Sequence, residues 1–371
     1  MRETWSEDKG GSVGAVDVAP PKSQDRSGNL PTSLRGFIDR LSDAGRLVRV
    51  EKKTPWKFEL GRVTRESKTP LLFESIQDYP GWRVFTNGLR DLGSIAMALG
   101  LESGISREDL VAEVRRRAAN PIPPRIVASS PVLENVFRGS EVDLLTLPVP
   151  HWNQDDCGRY LGTWHINATK DPETGARNVG VYRMQLLGRN QTTVSTSPGS
   201  HLSLHVAKAE KEGHALPMAV AVGVSEATVM AASAAYPYGI DELELAGGLR
   251  ESPVELLRCQ TIDAEIPADA EIVVEGFIQP HVRVQDGPYF DYSGALNTNP
   301  VAFLFEATGL MVRDDTIFRG TSIGVPGAED HQLFAILAEL RLLDFHGSSA
   351  KKRIQDMLLK QRLLRWTRAD P

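Results

Sequence analysis

Past about residue 140 the sequence breaks into short β-rich runs, at 161–168, 179–186, 218–224, 254–257, 272–277 and 301–305. Turn residues separate them, as in Asp171-Pro-Glu-Thr-Gly175. One stretch at 202–212 has helical spacing and interrupts the strands. Many short strands with few helices among them suggest a β-barrel or a strongly bent sheet with inserted helices.

The region before this differs in character. Leu34, Phe37, Ile38 and Leu41 recur at helical spacing, Gly45 closes that helix, and 47–50 reads as a strand. Further strands are expected at 71–74 and 82–86, with helices near 91–100 and 106–119. Ser106, three residues before Asp109, has the spacing of an N-terminal cap. The run Asn120-Pro-Ile-Pro-Pro124 then reads as a linker, because proline holds itself and its predecessor in extended geometry. The expected fold class is α+β. A small N-terminal α/β lobe (31–125) precedes a β-rich domain (126–330) and a short helical tail (331–371), with helices at 333–343 and 354–364. Residues 1–30 are rich in Gly, Ser, Asp, Lys and Pro and read as a disordered leader.

With 371 residues, 41% of them hydrophobic, the chain can bury a substantial core. A net charge of -6 argues against nucleic acid as a partner, since no excess of Lys and Arg is available to neutralise phosphates. No run approaches the ~18 apolar residues of a membrane span, and the first thirty residues lack a signal peptide's apolar segment. Cys157 and Cys259 form no CxxC pair, so a reduced, cytoplasmic protein is expected.

Two separable sets of polar residues stand out. Asn178, His201 and Glu242 offer an amide oxygen, an imidazole and a carboxylate, suited to a hard divalent cation. Arg183, Asp286 and Asp291 offer a cation and two carboxylates, the material for proton transfer beside an anionic substrate. Taken singly, each has a plainer reading. Asn178 before Val-Gly could be a turn residue, His201 a helix cap and Glu242 a solvated acid. Arg183 with Asp291 could be an ordinary ion pair, and Asp286-Gly-Pro a turn.

Their order along the chain changes that balance. The segments Asp156-Cys-Gly-Arg-Tyr-Leu-Gly-Thr163, Asn178-Val-Gly-Val-Tyr-Arg183 and 237–249 resemble those of the UbiD family of reversible decarboxylases. So do 266–276, Asp286-Gly-Pro288 and 320–326. The resemblance runs from about Leu34 to Pro326. It implies that the β-rich domain is a split β-barrel holding prenylated FMN. It also implies that Asn178, His201 and Glu242 hold Mn2+ or Mg2+ at the flavin phosphate, with K+ a further candidate ion. Glu242 is preferred to Glu244 because the family's metal glutamate lies five residues before the glycine matching Gly247. Thr163, Val181, Tyr182, Arg183 and Ser233 fall where the family lines the cofactor. Arg183, Asp286 and Asp291 match its proton-transfer set.

Two departures accompany the match. The acidic segment reads Asp286-Gly-Pro-Tyr-Phe-Asp291 where the family has Glu-Gly-Pro-x-Gly-Glu. Each carboxylate is therefore drawn back by about 1.5 Å, one C–C bond. Residues 331–371 are expected to stand, as a helical tail, where the family continues into a further α/β domain.

The resemblance implies reversible decarboxylation of an α,β-unsaturated or aromatic acid, with a prenyl-FMN synthase as cofactor supplier and a homo-oligomer as the assembly. Arg183 would pair with the substrate carboxylate. Asp291 would deliver a proton to the carbon that loses carbon dioxide, and Asp286 would hold Arg183. The alternative is a non-catalytic or partly degenerate flavin-binding subunit of a carboxylase-type assembly.

Overall fold

A computed structural model describes residues 30–344 apart from 235, 325 and 326. The expected leader (1–30, but for its last residue) and the helix at 354–364 lie outside the described residues.

The first helix, Leu34–Asp43, starts where Ser33 Oγ accepts a hydrogen bond from Gly36 N at 3.2 Å. Its apolar face buries Leu34, Phe37, Ile38 and Leu41. It ends before Gly45, whose φ of 66° is a conformation open to glycine. Ser106 caps Arg107–Ala118 by accepting from Asp109 N at 3.0 Å, as its spacing predicts. The lobe's sheet runs Val48–Val50, Leu71–Phe73, Arg83–Thr86, Ile317–Arg319. The last strand comes from far along the chain and pairs in parallel with Arg83–Thr86. The N-terminal sheet is thus completed by residues from the end of the β-rich region.

The larger sheet is antiparallel. Its order is Gln191–Val194, Leu296–Val312, Ile272–Phe290, Leu216–Val222, His165–Lys170, Arg177–Gly180, with Asn135–Arg138 also pairing with Leu296–Val312. Both faces are covered. Along Leu216–Val222, Ala219 and Ala221 enter one hydrophobic cluster while Met218, Val220 and Val222 enter another. That alternation is the period of two expected of a strand between two packed layers. Each fully buried aliphatic contributes roughly 1.5–3 kcal/mol, so a charge placed at Val220 would break the junction.

The two long strands curl the sheet. Ile272–Phe290 and Leu296–Val312 pair with register shifts at Glu275/Gly276, Ile278/Arg283, Val284/Asp286 and Asp286/Tyr289. Such irregularities bend a strand and re-aim its side chains. At Gly276 a Cβ would come within 2.1 Å of the Glu306 carbonyl oxygen, so glycine permits the close approach. The last two shifts bracket Asp286, which points inward and is fully buried.

Candidate active site

The segment 181–183 leaves the ladder between strands Arg177–Gly180 and Met184–Gln185. Side chains take over its backbone. Tyr182 N donates to Asn167 Oδ1 at 3.0 Å, and His165 Nε2 lies 3.0 Å from the Tyr182 carbonyl oxygen. Gly180 admits the Tyr182 ring, whose atoms would sit 2.7 Å from a Cβ there. This break turns Arg183 towards the long strand. Arg183 Nε donates to Asp286 Oδ1 at 2.6 Å. Thr193 Oγ1 donates to Asp286 Oδ2 at 2.6 Å, and itself accepts from Gln185 N at 3.0 Å. Burial pushes the Asp286 carboxyl up, opposed by Arg183 and Thr193. The Arg183 guanidinium lies 5.1 Å from the Tyr289 ring centroid, and that ring packs on Tyr160 at 4.1 Å. Asp156 accepts from Phe290 N at 3.0 Å and Cys157 N donates to the Pro288 carbonyl at 2.8 Å, fixing the other side of 286–291.

Asp291 stands apart from this pair. It lies in the hairpin between the two long strands, where Oδ1 accepts from Ser293 N at 2.8 Å and also from Ser293 Oγ. Oδ2 accepts from Asn297 Nδ2. The family-derived set is therefore split: Arg183 and Asp286 meet, and Asp291 is engaged by its own turn.

Arg183 and Asp291 nevertheless face one cavity of about 890 Å³, together with Thr163, Val181 and Ser233. Thr163 is fixed there by accepting from Thr321 N at 3.0 Å. Tyr182 is not on the cavity wall; its hydroxyl instead accepts from Asn178 Nδ2 at 3.4 Å. Asp286 lies behind Arg183, out of contact with the cavity.

His201 and Glu242 approach each other, and Asn178 precedes the residue whose backbone amide Glu242 binds. Asn178 is on Arg177–Gly180, while His201 and Glu242 open the helices His201–Lys211 and Glu242–Leu249. Glu242 Oε2 accepts from Val179 N at 2.9 Å, next in sequence to Asn178. Its Oε1 lies 3.9 Å from His201 Nδ1. Burial pushes the Glu242 carboxyl up to about 7 and the His201 imidazole down. Arg177, whose charge reaches Glu242, is bound to Asp241 and Glu265. Among the described residues no three His, Cys, Asp or Glu side chains form a metal-holding group. This set contributes only two of those types, with an amide as the third. The buried Glu242 carboxylate and the His201 imidazole are the donor types that a hard divalent ion would use there.

Asp156 opens a motif of the resemblance, though its bond to Phe290 N is not readable there, whereas Thr193 and Asp330 belong to no quoted motif. Thr193 lies in a four-residue strand with no motif around it. Asp330 opens the helix Glu329–Asp344, where apolar spacing marks only the part from 333 onward.

Comparison with known proteins decides the lineage. Residues 38–114 match the 3-octaprenyl-4-hydroxybenzoate carboxy-lyase N-terminal domain, and residues 125–326 match its Rift-related domain. The chain belongs to the UbiD family. It is 33% identical over 325 residues to the pyrrole-2-carboxylic acid decarboxylase of Pseudomonas aeruginosa. That match covers 84% of this chain and 66% of the relative, so this UbiD chain spans just under two thirds of that relative's length. Among solved structures, it resembles an evolved dimeric form of the UbiD-class enzyme HmfF from Pelotomaculum thermopropionicum, in complex with prFMN. There the TM-score is 0.77 and the identity 33%, over 84% of this chain and 72% of that one. The vanillic acid decarboxylase of Sedimentibacter hydroxybenzoicus, in its closed form, gives a TM-score of 0.80 at 27% identity, over 84% and 68%. The α+β class and the curled barrel-like sheet agree with these UbiD-class neighbours. No described helix is long and apolar enough to cross a membrane.

Proposed function

We propose that this UbiD chain carries out reversible, non-oxidative decarboxylation of an α,β-unsaturated or aromatic acid with prenylated FMN. The observation that carries this is the Arg183–Asp286 pair, set on a cavity beside Asn178, His201 and Glu242. Loss of carbon dioxide leaves an electron pair on carbon, and prenylated FMN, when bound, supplies the electron sink that no side chain offers. Thr163, Val181, Arg183 and Ser233 would line that cofactor, with Tyr182 behind them. Asn178, His201 and Glu242 would hold Mn2+ or Mg2+ against its phosphate, neutralising charge there.

Arg183 does the substrate work. Its guanidinium can take a carboxylate in a two-pronged pair, and Asp286 with Thr193 holds it in one orientation while doing so. The Tyr289 ring below it keeps one side of the cation dry. Asp291 would hold the proton that replaces carbon dioxide, which requires its carboxylate to leave Ser293 and Asn297. Those bonds favour a second reading, a flavin-binding subunit in which proton transfer is lost.

The test is co-expression with a prenyl-FMN synthase, followed by the absorbance of bound flavin and carbon dioxide release from aromatic and heteroaromatic acids. The expected result is flavin retention with turnover, and loss of turnover but not flavin in Asp291→Asn. Flavin retained without turnover by any acid would support the second reading. No flavin bound would overturn both. Self-association is part of the same proposal and is measured by sedimentation.

A further inference from the structure

The helix Glu329–Asp344 opens with two adjacent buried acids of opposite circumstance. Glu329 is fully satisfied: it accepts from Asn87 N and Leu89 N at 3.0 Å each, and from Arg319 at 2.6 Å. Asp330 is 3% exposed, and among the described residues neither carboxylate oxygen has a hydrogen-bond partner. It lines the same cavity as Arg183. Burial pushes its carboxyl up to about 6, a rise that His331 opposes and Glu329 adds to; its charge is felt by Arg90, which makes no salt bridge with it among the described residues. Tyr289 faces this cavity too, 1% exposed, and its hydroxyl is also without a partner.

A buried carboxylate left unpaired costs stability unless something completes it. The helix N-terminus is the plain candidate, because amides there favour an acid; the backbone of His331 and of Asp330 eases the charge in that way, but among the described residues no donor reaches hydrogen-bond geometry with either oxygen. Two unsatisfied polar groups, a carboxylate and a phenol, instead open on the space that a substrate would enter.

We propose that Asp330, on the cavity that Tyr289 also lines, is the specificity element for the substrate's ring and accepts a hydrogen bond from an N–H or O–H on that ring. This rests on the proposed function and adds the substrate class: aromatic or heteroaromatic acids bearing a ring donor. The carboxylate of Asp330 also repels the substrate's own carboxylate. The acid is thereby driven towards Arg183, and the ring donor towards the helix. Furan and thiophene acids, which place a lone pair or sulfur where the donor should be, are disfavoured.

The test uses protein co-expressed with a prenyl-FMN synthase, and equilibrium dialysis of pyrrole-2-carboxylate and furan-2-carboxylate. The two probes differ chiefly in one N–H. The expected preference for the pyrrole acid is about tenfold or more, as for a hydrogen bond to a charged acceptor. It disappears in Asp330→Leu and survives in part in Asp330→Asn, whose amide oxygen still accepts. Both variants melt at or above the parent temperature, because an unpaired buried charge has been removed. A helix-capping role predicts the reverse, a lower melting temperature with the preference intact, and that result overturns the inference. Equal binding of both acids, abolished by Arg183→Leu, leaves the decarboxylase reading standing and overturns this one. Failure of both acids to bind overturns both.

Discussion

Thr193 donates its hydroxyl to Asp286 Oδ2 at 2.6 Å, while Arg183 takes Oδ1 at the same distance. The carboxylate that orients the arginine is thus itself oriented from a neighbouring strand. Thr193→Val keeps the shape and removes the donor, leaving a fully buried oxygen short of one bond. Stability should fall by about 1–3 kcal/mol in urea titration, and turnover by about tenfold, with flavin content unchanged. An unaltered urea midpoint would show that the bond contributes nothing.

Arg183 and Asp286 form a pair in which the acid is fully buried and the base is part-buried at the cavity wall. Arg183→Leu strands the acid and should cost about 3–5 kcal/mol. Arg183→Leu combined with Asp286→Leu should recover much of that loss, because two charges leave together. A double-mutant cycle by chemical denaturation measures the coupling, and additive losses would contradict it.

Arg319 is buried between Glu226, at 2.8 Å, and Glu329, at 2.6 Å. Trp164 donates to Glu226 at 2.8 Å, and the Arg319 guanidinium lies 4.7 Å from the Trp164 ring. Glu226→Gln should destabilise the protein by about 3 kcal/mol. It should also shift tryptophan fluorescence, since the indole N–H loses a charged acceptor. Calorimetry and emission spectra on one sample check both effects.

His165 is fully buried, and burial holds its imidazole down to about 4 from an ordinary 6.5. Its Nε2–H donates to the Tyr182 carbonyl, and Nδ1 has no partner to receive a charge. Above pH 6.5 both folded and unfolded forms are neutral, and this contribution is fully present. As pH falls towards 4 the unfolded chain gains a proton that the folded one refuses, so up to about 3 kcal/mol is lost. His205, lowered to about 4 by the same cause, adds to the slope. Urea midpoints at neutral pH and at about pH 5 should differ in the parent and less so in His165→Asn.

Local pattern carried much of the architecture. The apolar spacing of Leu34, Phe37, Ile38 and Leu41, the Ser106 cap and the β-rich run at 218–224 all reappear within a residue or two. The run at 161–168 divides into Tyr160–Gly162 and His165–Lys170, and 179–186 divides similarly around Tyr182. The break at Tyr182 is held by side-chain bonds from Asn167 and His165, which spacing does not reveal. The helices Glu226–Ser233 and Glu242–Leu249 were not anticipated, since both are buried on nearly every side and lack an amphipathic stripe. At the site, order along the chain named Arg183, Asp286, Asp291 and the Asn178, His201, Glu242 set as candidates, and space brings Arg183 to Asp286 and His201 towards Glu242. That order could not say that Asp291 bonds within its own hairpin. Nor could it identify Thr193 or Asp330, whose significance depends on partners present or missing in space.

Because Ile317–Arg319 lies alongside Arg83–Thr86, the Pro-rich connection at 120–124 divides the sequence without dividing the molecule. Severing the chain there would leave two fragments still stitched by a shared ladder. Neither piece could be expected to stand alone, and heat should undo them in a single step.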